Sequence, residues 1–402
     1  MDLDDIARLA RPSDAKVLLF VLDGLGGLPR EPGGGRTELE AARTPNMDRL
    51  AREGDCGLHE PVGPGITPGS GPGHLALFGY DPLCYRIGRG VLEALGVGVD
   101  LAPGEVAARG NFCTVDARGR VVDRRAGRIS TEECARLSQR LSELSVEGAE
   151  ISVRPVKEHR FLLLVRPSAV SGAEVGDTDP GRPGVPPGAA AALDERSEPA
   201  AAAVSRWVEL ARESLAGEER ANMVLLRGFS RLPAWPRFPQ VFGVRAFAGA
   251  AYPMYRGVAR LVGMEAAACG ESPEDLAAEL EGRIADYDFL FLHFKGTDKA
   301  GEDGDFDRKV ALIEAADAVL PRLLDTGPEV LLLTGDHSTP ARLRSHSWHP
   351  VPFLLYGGPG RSPGIEEFGE RSCAAGSLGL RRGCELLPLA MARAGRLAKF
   401  GA

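Results

Sequence analysis

No stretch of this chain reaches the roughly 18 consecutive apolar residues that a bilayer-spanning helix needs. Its first residues, MDLDDIARLARPSD, are polar and acidic, where a secretory signal would carry an apolar run. No CxxC pair occurs among the seven cysteines, Cys56, Cys84, Cys113, Cys134, Cys269, Cys373 and Cys384. An odd, dispersed set argues against a disulfide scaffold or a zinc ribbon and for reduced thiols. Positive charge is not in excess either. The formal net charge is −8, whereas nucleic acid and anionic membrane both reward a basic face. A soluble, cytoplasmic protein with neither as partner is expected. The GxSxG elbow of the α/β-hydrolases is also missing.

What is present is a core. Apolar residues make up 44% of 402 residues, which favours two or three domains over one. Lys16–Asp23 (KVLLFVLD), Asp288–His293, Glu329–Thr334 and Val351–Tyr356 are short continuous apolar runs. Such runs suit strands buried on both faces, as in a parallel sheet covered by helices. Helical patterns lie between them. Thr44-Pro45 and Ser272-Pro273 each supply a cap and a proline for the first helical position, and Phe306–Leu324 reads as a longer amphipathic helix. Residues 109–166 alternate instead, including Phe112–Val122 around Arg118-Gly119, and predict an antiparallel sheet. Gly176–Ala203, rich in glycine, proline and alanine, reads as a long mobile loop. The expected fold is an α/β core built from residues 1–103 and 246–402, with an inserted smaller α+β domain at 104–245. No oligomeric state can be read from it.

Several strand ends finish in metal-capable residues: Asp23, Asp298 with Glu302 four residues on, Asp336-His337, and His346 ahead of VPFLLY. Singly, each has an ordinary reading. An aspartate after a strand forms turns, and KGTDKAGEDGD reads as a solvated acidic loop. Together, carboxylates and imidazoles at the carboxyl ends of strands suit divalent metal, with ligands enough for two ions. His59, His74, His159 and His293 are read as structural or surface residues. Ser70 lies in the loop Gly63–Gly73 just before a helical start, where free backbone N–H groups would cradle a phosphate. A serine there needs a base or a metal to act as nucleophile.

The motifs VLDGLGG, TPNMDRLAREG, GITPGSGPGHLALFGYDP, KGTDKAGEDGD, TGDHSTP and SHSWHPVPFLLYG occur in one order along nearly the whole chain. In this the sequence resembles the archaeal-type 2,3-bisphosphoglycerate-independent phosphoglycerate mutases of the alkaline phosphatase superfamily. The resemblance implies an alkaline-phosphatase-like core and interconversion of 3- and 2-phosphoglycerate through a phosphoserine at Ser70. It implies one metal on Asp23, Ser70, Asp336 and His337 and another on Asp298, Glu302 and His346. Mg²⁺ or Mn²⁺ is expected, with Co²⁺ or Zn²⁺ as alternatives. The substrate, a small phosphoglycerate, would meet cations from Arg109, Arg124, Arg128, Arg227, Arg256 and Lys295, and the insert would close to exclude water. Two positions depart from the pattern: Glu302 stands where the family has histidine, and Arg256 where it has lysine. The alternatives are a related metal-dependent phosphatase, another phosphomutase or phosphonate-active enzyme of that superfamily, or a non-catalytic binding protein on the same fold.

Overall fold

A computed structural model describes residues 2–360 and 365–401. The chain divides into two compact units, Met1–Arg86 with Trp235–Ala402, and Ile87–Ala234. The sequence-based division lies at 103/104 and 245/246 instead. Thirteen strands form among the described residues: β1 Val17–Leu22, β2 Asp55–Glu60, β3 Val106–Val115, β4 Val121–Asp123, β5 Ala149–Lys157, β6 Arg160–Pro167, β7 Met223–Arg231, β8 Ala246–Ala250, β9 Glu265–Ala267, β10 Phe289–Phe294, β11 Val330–Thr334, β12 Val351–Tyr356 and β13 Gly379–Arg382.

The first unit is α/β. Its eight-stranded sheet runs β13-β2-β12-β11-β1-β10-β8-β9. Every residue of β1, β10 and β11 is buried, which is why these segments read as unbroken apolar runs. β1 pairs in parallel with both β10 and β11. The expectation of an all-parallel sheet needs one correction. β12 runs antiparallel to both β11 and β2. Burial on both faces produces the same apolar run in either direction, so VPFLLY carries no directional signal. Of the two expected caps, Thr44 precedes Pro45–Glu53 without a side-chain cap hydrogen bond, and Ser272 caps as its sequence foretells. Ser272 and Asp275 form a capping box ahead of Pro273–Arg283, and Phe306–Asp325 is a 20-residue helix.

A second correction concerns KGTDKAGEDGD. It is not a loop: Gly296–Asp303 is helical and closes at Gly304 in the left-handed region, φ 76°. That helix sets Asp298 and Glu302 at i and i+4, on one face.

The second unit is α+β, with an antiparallel sheet ordered β4-β3-β6-β5 and β7 on the other side of β3. The long loop expected at 176–203 is shorter and anchored. Glu198–Leu215 is a helix whose Ala200, Ala203, Val204, Trp207 and Ala211 are buried. Alanine is the best helix former, so the alanine-rich end of the stretch folds against the core. Upstream, Thr178 is pinned to β7: its N–H donates to Leu226 O at 2.8 Å, and its Oγ1 accepts from Leu226 N at 2.8 Å.

Candidate active site

Three adjacent strands of the first unit end at one place. β1 runs into Asp23, β10 into Lys295 and the helix bearing Asp298, and β11 into Asp336-His337. This is the carboxyl edge of the sheet, where open α/β folds place their ligands. The segment between β11 and β12 returns with His346. Ser70 is the first residue of the helix Ser70–Leu77, with Gly69 at its cap. The helix therefore begins earlier than the sequence pattern suggests, taking in residues 70–73, which read as loop, and Ser70 stands inside its first turn rather than before it.

The donor atoms converge in two groups that share His337. His337 Nε2 lies 3.2 Å from Asp23 Oδ1, 3.3 Å from Asp336 Oδ2 and 3.5 Å from Ser70 Oγ. In the second group His346 Nε2 lies 3.5 Å from Asp298 Oδ1 and 3.9 Å from Glu302 Oε1. His346 Nδ1 lies 3.0 Å from Pro68 O, so it carries the proton and leaves Nε2 bare on the carboxylate side. Asp23, Asp298, Asp336 and His337 are fully buried, whereas the Glu302 side chain is 53% exposed. Glu302 stands at the margin of its group.

The electrostatics fit a cation. Three buried carboxylates meet here, and Asp23 Oδ1 and Asp336 Oδ2 accept no well-formed hydrogen bond. Burial alone would raise the Asp23 carboxyl, but its contacts with the His293 and His337 rings and the Lys295 charge hold it well below the usual carboxylate range. Burial would likewise lower His337, yet the Asp336, Asp23 and Asp298 charges lift it to about 9. Its imidazolium supplies positive charge that the carboxylates demand. Oxygen and imidazole donors, with no sulfur, suit hard to borderline divalent ions.

A family model described as 2,3-bisphosphoglycerate-independent phosphoglycerate mutase matches residues 51–220. A Thermus thermophilus protein named as a probable 2,3-bisphosphoglycerate-independent phosphoglycerate mutase is 51% identical over 408 residues, with 100% of both chains covered. The chain belongs to this mutase family. Two solved structures are similar over nearly all of it. One, of a Pyrococcus horikoshii protein, has a TM-score of 0.79 and 33% identity, covering 96% of this chain and 99% of that one. The other, a cofactor-independent phosphoglycerate mutase from Thermoplasma acidophilum, has a TM-score of 0.74 and 29% identity, covering 94% and 100%.

The six cations expected to meet a phosphoglycerate differ in how committed they are in this mutase-family chain. Lys295 bridges two carboxylates, 3.1 Å from Asp23 Oδ2 and 2.6 Å from Asp298 Oδ2. It also lines a cavity of about 450 Å³ together with Tyr252, His293, Lys299 and Glu302. Arg256 donates to the carbonyls of Ala250 and Ala251 at 2.8 and 2.6 Å. The other four belong to the second unit. Arg124 grips Asp179 with two hydrogen bonds, 2.8 and 2.7 Å. Arg128 is exposed and has φ 53°. Arg109 and Arg227 are half-buried, and the Nε of each lacks a hydrogen-bond partner. Burial lowers the Arg109 pKa, with the charges of Arg160, Arg227 and Arg89 acting in the same direction and Glu93 against it.

Sequence reasoning passed over several neighbours. His293 lies 2.9 Å from Asp23 Oδ2 and stacks on Tyr255, ring centroids 3.8 Å apart. His74 Nδ1 lies 2.8 Å from Ser70 O and 3.2 Å from Asp336 Oδ2. The i, i+4 spacing of Ser70 and His74 was a usable signal once the helix was placed. Tyr255 gave none. Burial and the charges of Asp23 and Asp336 raise its pKa well above 10, so it stays a hydroxyl beside Asp23 and Ser70.

Proposed function

We propose that this chain interconverts 3-phosphoglycerate and 2-phosphoglycerate through a phosphoserine at Ser70, in the cytoplasm. The observation that carries the reading is Ser70 Oγ, 3.5 Å from His337 Nε2 at the start of a helix, beside two buried carboxylate oxygens with no well-formed hydrogen bond. Full-length identity of 51% to a probable mutase supports the substrate class. Seven unpaired cysteines suit a reducing compartment.

Asp23, Ser70, Asp336 and His337 would hold one divalent cation and Asp298, His346 and Glu302 a second, Mg²⁺ or Mn²⁺ by the oxygen-rich donors with Co²⁺ or Zn²⁺ as alternatives, supplying Lewis acidity that lowers the hydroxyl pKa and offsets phosphoryl charge. Ser70 Oγ attacks phosphorus in line. The new Oγ–P bond forms as the bond from phosphorus to the glycerate 3-oxygen breaks, and glycerate keeps that oxygen and gains the proton that Ser70 Oγ loses. The backbone N–H groups of Ser70 and Gly71 would face the phosphoryl oxygens, since Pro72 has none and Gly73 N–H donates to Gly69 O at 3.0 Å. The glycerate 2-oxygen then takes the phosphoryl group as the Oγ–P bond breaks, and its proton returns to Ser70 Oγ. Lys295 bridges Asp23 and Asp298, and its charge helps hold the Asp23 carboxyl ionised. Among the described residues, Arg109 and Arg227 are held only by loose ion pairs, each 3.8 Å long, to Glu93 and to Asp179, so their guanidinium groups are the less committed candidates for pairing with the substrate carboxylate or phosphate. Arg124 and Arg256 are more committed to protein partners and contribute less directly, as does exposed Arg128.

The test is an enolase-coupled assay of 2-phosphoglycerate formation with Mg²⁺, Mn²⁺, Co²⁺ and Zn²⁺ in turn. Turnover with at least one of them supports the mutase. Release of free phosphate from 3-phosphoglycerate, without 2-phosphoglycerate, would reassign the chain to a related phosphatase.

A further inference from the structure

Lys309 sits within the helix Phe306–Asp325, and no part of it reaches solvent. Its ammonium spends all three donors on backbone: Gly24 O at 2.8 Å, Thr339 O at 2.9 Å and Gly26 O at 3.0 Å. These carbonyls belong to two loops, one leaving β1 just past Asp23 and one leaving β11 just past His337. Glu38, also fully buried, ties the same two loops. It accepts from Leu28 N at 3.1 Å and from Ala341 N at 2.6 Å.

Thr339 carries this junction into the site. Its Oγ1 lies 2.6 Å from Asp298 Oδ1 and 2.9 Å from His337 Nδ1. A hydroxyl has one proton. With the carboxylate as acceptor, Thr339 must accept from His337 Nδ1–H, and this orients the ring with Nε2 towards Asp23 and Asp336. The packing has no slack. A Cβ on Gly24, where φ is +65°, would lie 2.6 Å from Thr339 Oγ1, and one on Gly301 would lie 2.2 Å from Thr339 O.

We propose that Lys309 and Thr339 act as a positioning relay for the active site. The buried ammonium locks the Asp23 and His337 loops together, and the Thr339 hydroxyl turns that lock into a fixed orientation of Asp298 and His337. Neither residue touches substrate. The inference rests on the reading of this cluster as a divalent-cation site.

Three variants of the full chain test it: Thr339→Val, which keeps shape and removes the hydroxyl, Thr339→Ser, which restores it, and Lys309→Met, which removes the charge at similar length. The readouts are Mn²⁺ affinity by calorimetry, hydrogen exchange in residues 24–28 and 338–341, and kcat against KM. Thr339→Val is expected to lose about 10- to 100-fold in Mn²⁺ affinity. Its kcat should fall more than its KM rises, and Thr339→Ser should recover most of both. Lys309→Met should exchange faster in both loops and lose Mn²⁺ affinity. Thr339→Val binding Mn²⁺ as tightly as the wild type overturns the relay, and so does a folded Lys309→Met with unchanged exchange and affinity. If Lys309→Met does not fold, the Thr339 pair decides. A wild type that binds Mn²⁺ without mutase turnover sinks the mutase reading and leaves this one standing, while a wild type with no Mn²⁺ affinity overturns it.

Discussion

His337 and His346 stack, with ring centroids 3.7 Å apart and planes 25° from parallel. The two imidazoles point their Nε2 atoms at different carboxylates, His337 at Asp23 and Asp336 and His346 at Asp298. Stacking lets two adjacent ligand groups share one narrow space. It also brings a proton into the competition for His337. Against the lowering effect of burial, Asp336 and Asp23 hold this imidazole charged up to about pH 9. A ligating imidazole must be neutral, so below pH 9 the apparent affinity for divalent metal should fall about tenfold per pH unit. Calorimetry at about pH 7.5 in two buffers of different ionisation enthalpy should find about one proton released as this pocket fills. No release would remove His337 from the ligand set.

Ser70→Ala should fold and still bind divalent metal, because the carboxylates and imidazoles remain. Its turnover should drop by ~10³-fold or more, and no phosphoenzyme should be trapped after acid quench. Measurable phosphoenzyme in this variant would assign the nucleophile elsewhere.

Glu302 and Asp298 share one helical face but not one environment. Asp298 is fully buried, and Glu302 is half in solvent, 3.9 Å from His346 Nε2. Asp298→Asn should therefore cost far more metal affinity than Glu302→Gln, for which a loss of about tenfold is expected. Equal binding by Glu302→Gln and the wild type would show that residue 302 is not a ligand.

Two arginines of the second unit should separate in kind. Arg124 is the main partner of Asp179, a carboxylate only 3% exposed, and Arg124→Ala leaves it only the looser ion pair with Arg227 at 3.8 Å and the Gly181 N–H, which should cost about 2 kcal/mol of stability in urea melts. Arg109 holds no hydrogen bond at Nε, and its nearest carboxylate, Glu93 Oε2, is 3.8 Å away. Arg109→Met should raise KM for 3-phosphoglycerate about tenfold with Tm little changed. A reversal of these outcomes would exchange the two roles.

Glu370 offers a pH test away from the cluster. Burial pushes its carboxyl up to about 7 despite hydrogen bonds from Thr37 Oγ1 and Gly27 N. Between the ordinary carboxylate pKa and 7, the folded protein keeps a proton that the unfolded chain has lost. Stability from this group therefore declines as pH rises across that window. Glu370→Gln should make the fall of Tm between about pH 5 and pH 8 shallower in differential scanning fluorimetry. An unchanged slope would mean that Glu370 is already ionised at the acid end of that range.

Much of this protein is written locally. Buried strands betray themselves as apolar runs, as in Val17–Leu22 and Val330–Thr334, and helices begin where Ser272-Pro273 offers a cap and a fixed φ. The residues at the strand ends, Asp23, Asp336 and His337, follow from the same runs, since the first polar side chain after a buried apolar strand lies at the carboxyl edge of the sheet. These features depend on a window of a few residues, and sequence alone determines them. The direction of β12, the helix formed by an acidic glycine-rich stretch, and the commitment of Arg124 to Asp179 do not. Neither do the contacts of His293 with Asp23, 270 residues apart, or of Lys309 with Gly24, 285 apart. A buried lysine or histidine looks like any other along the chain. Only the tertiary fold decides which carbonyl or carboxylate meets it, because desolvation makes a polar group find a partner wherever packing has put one.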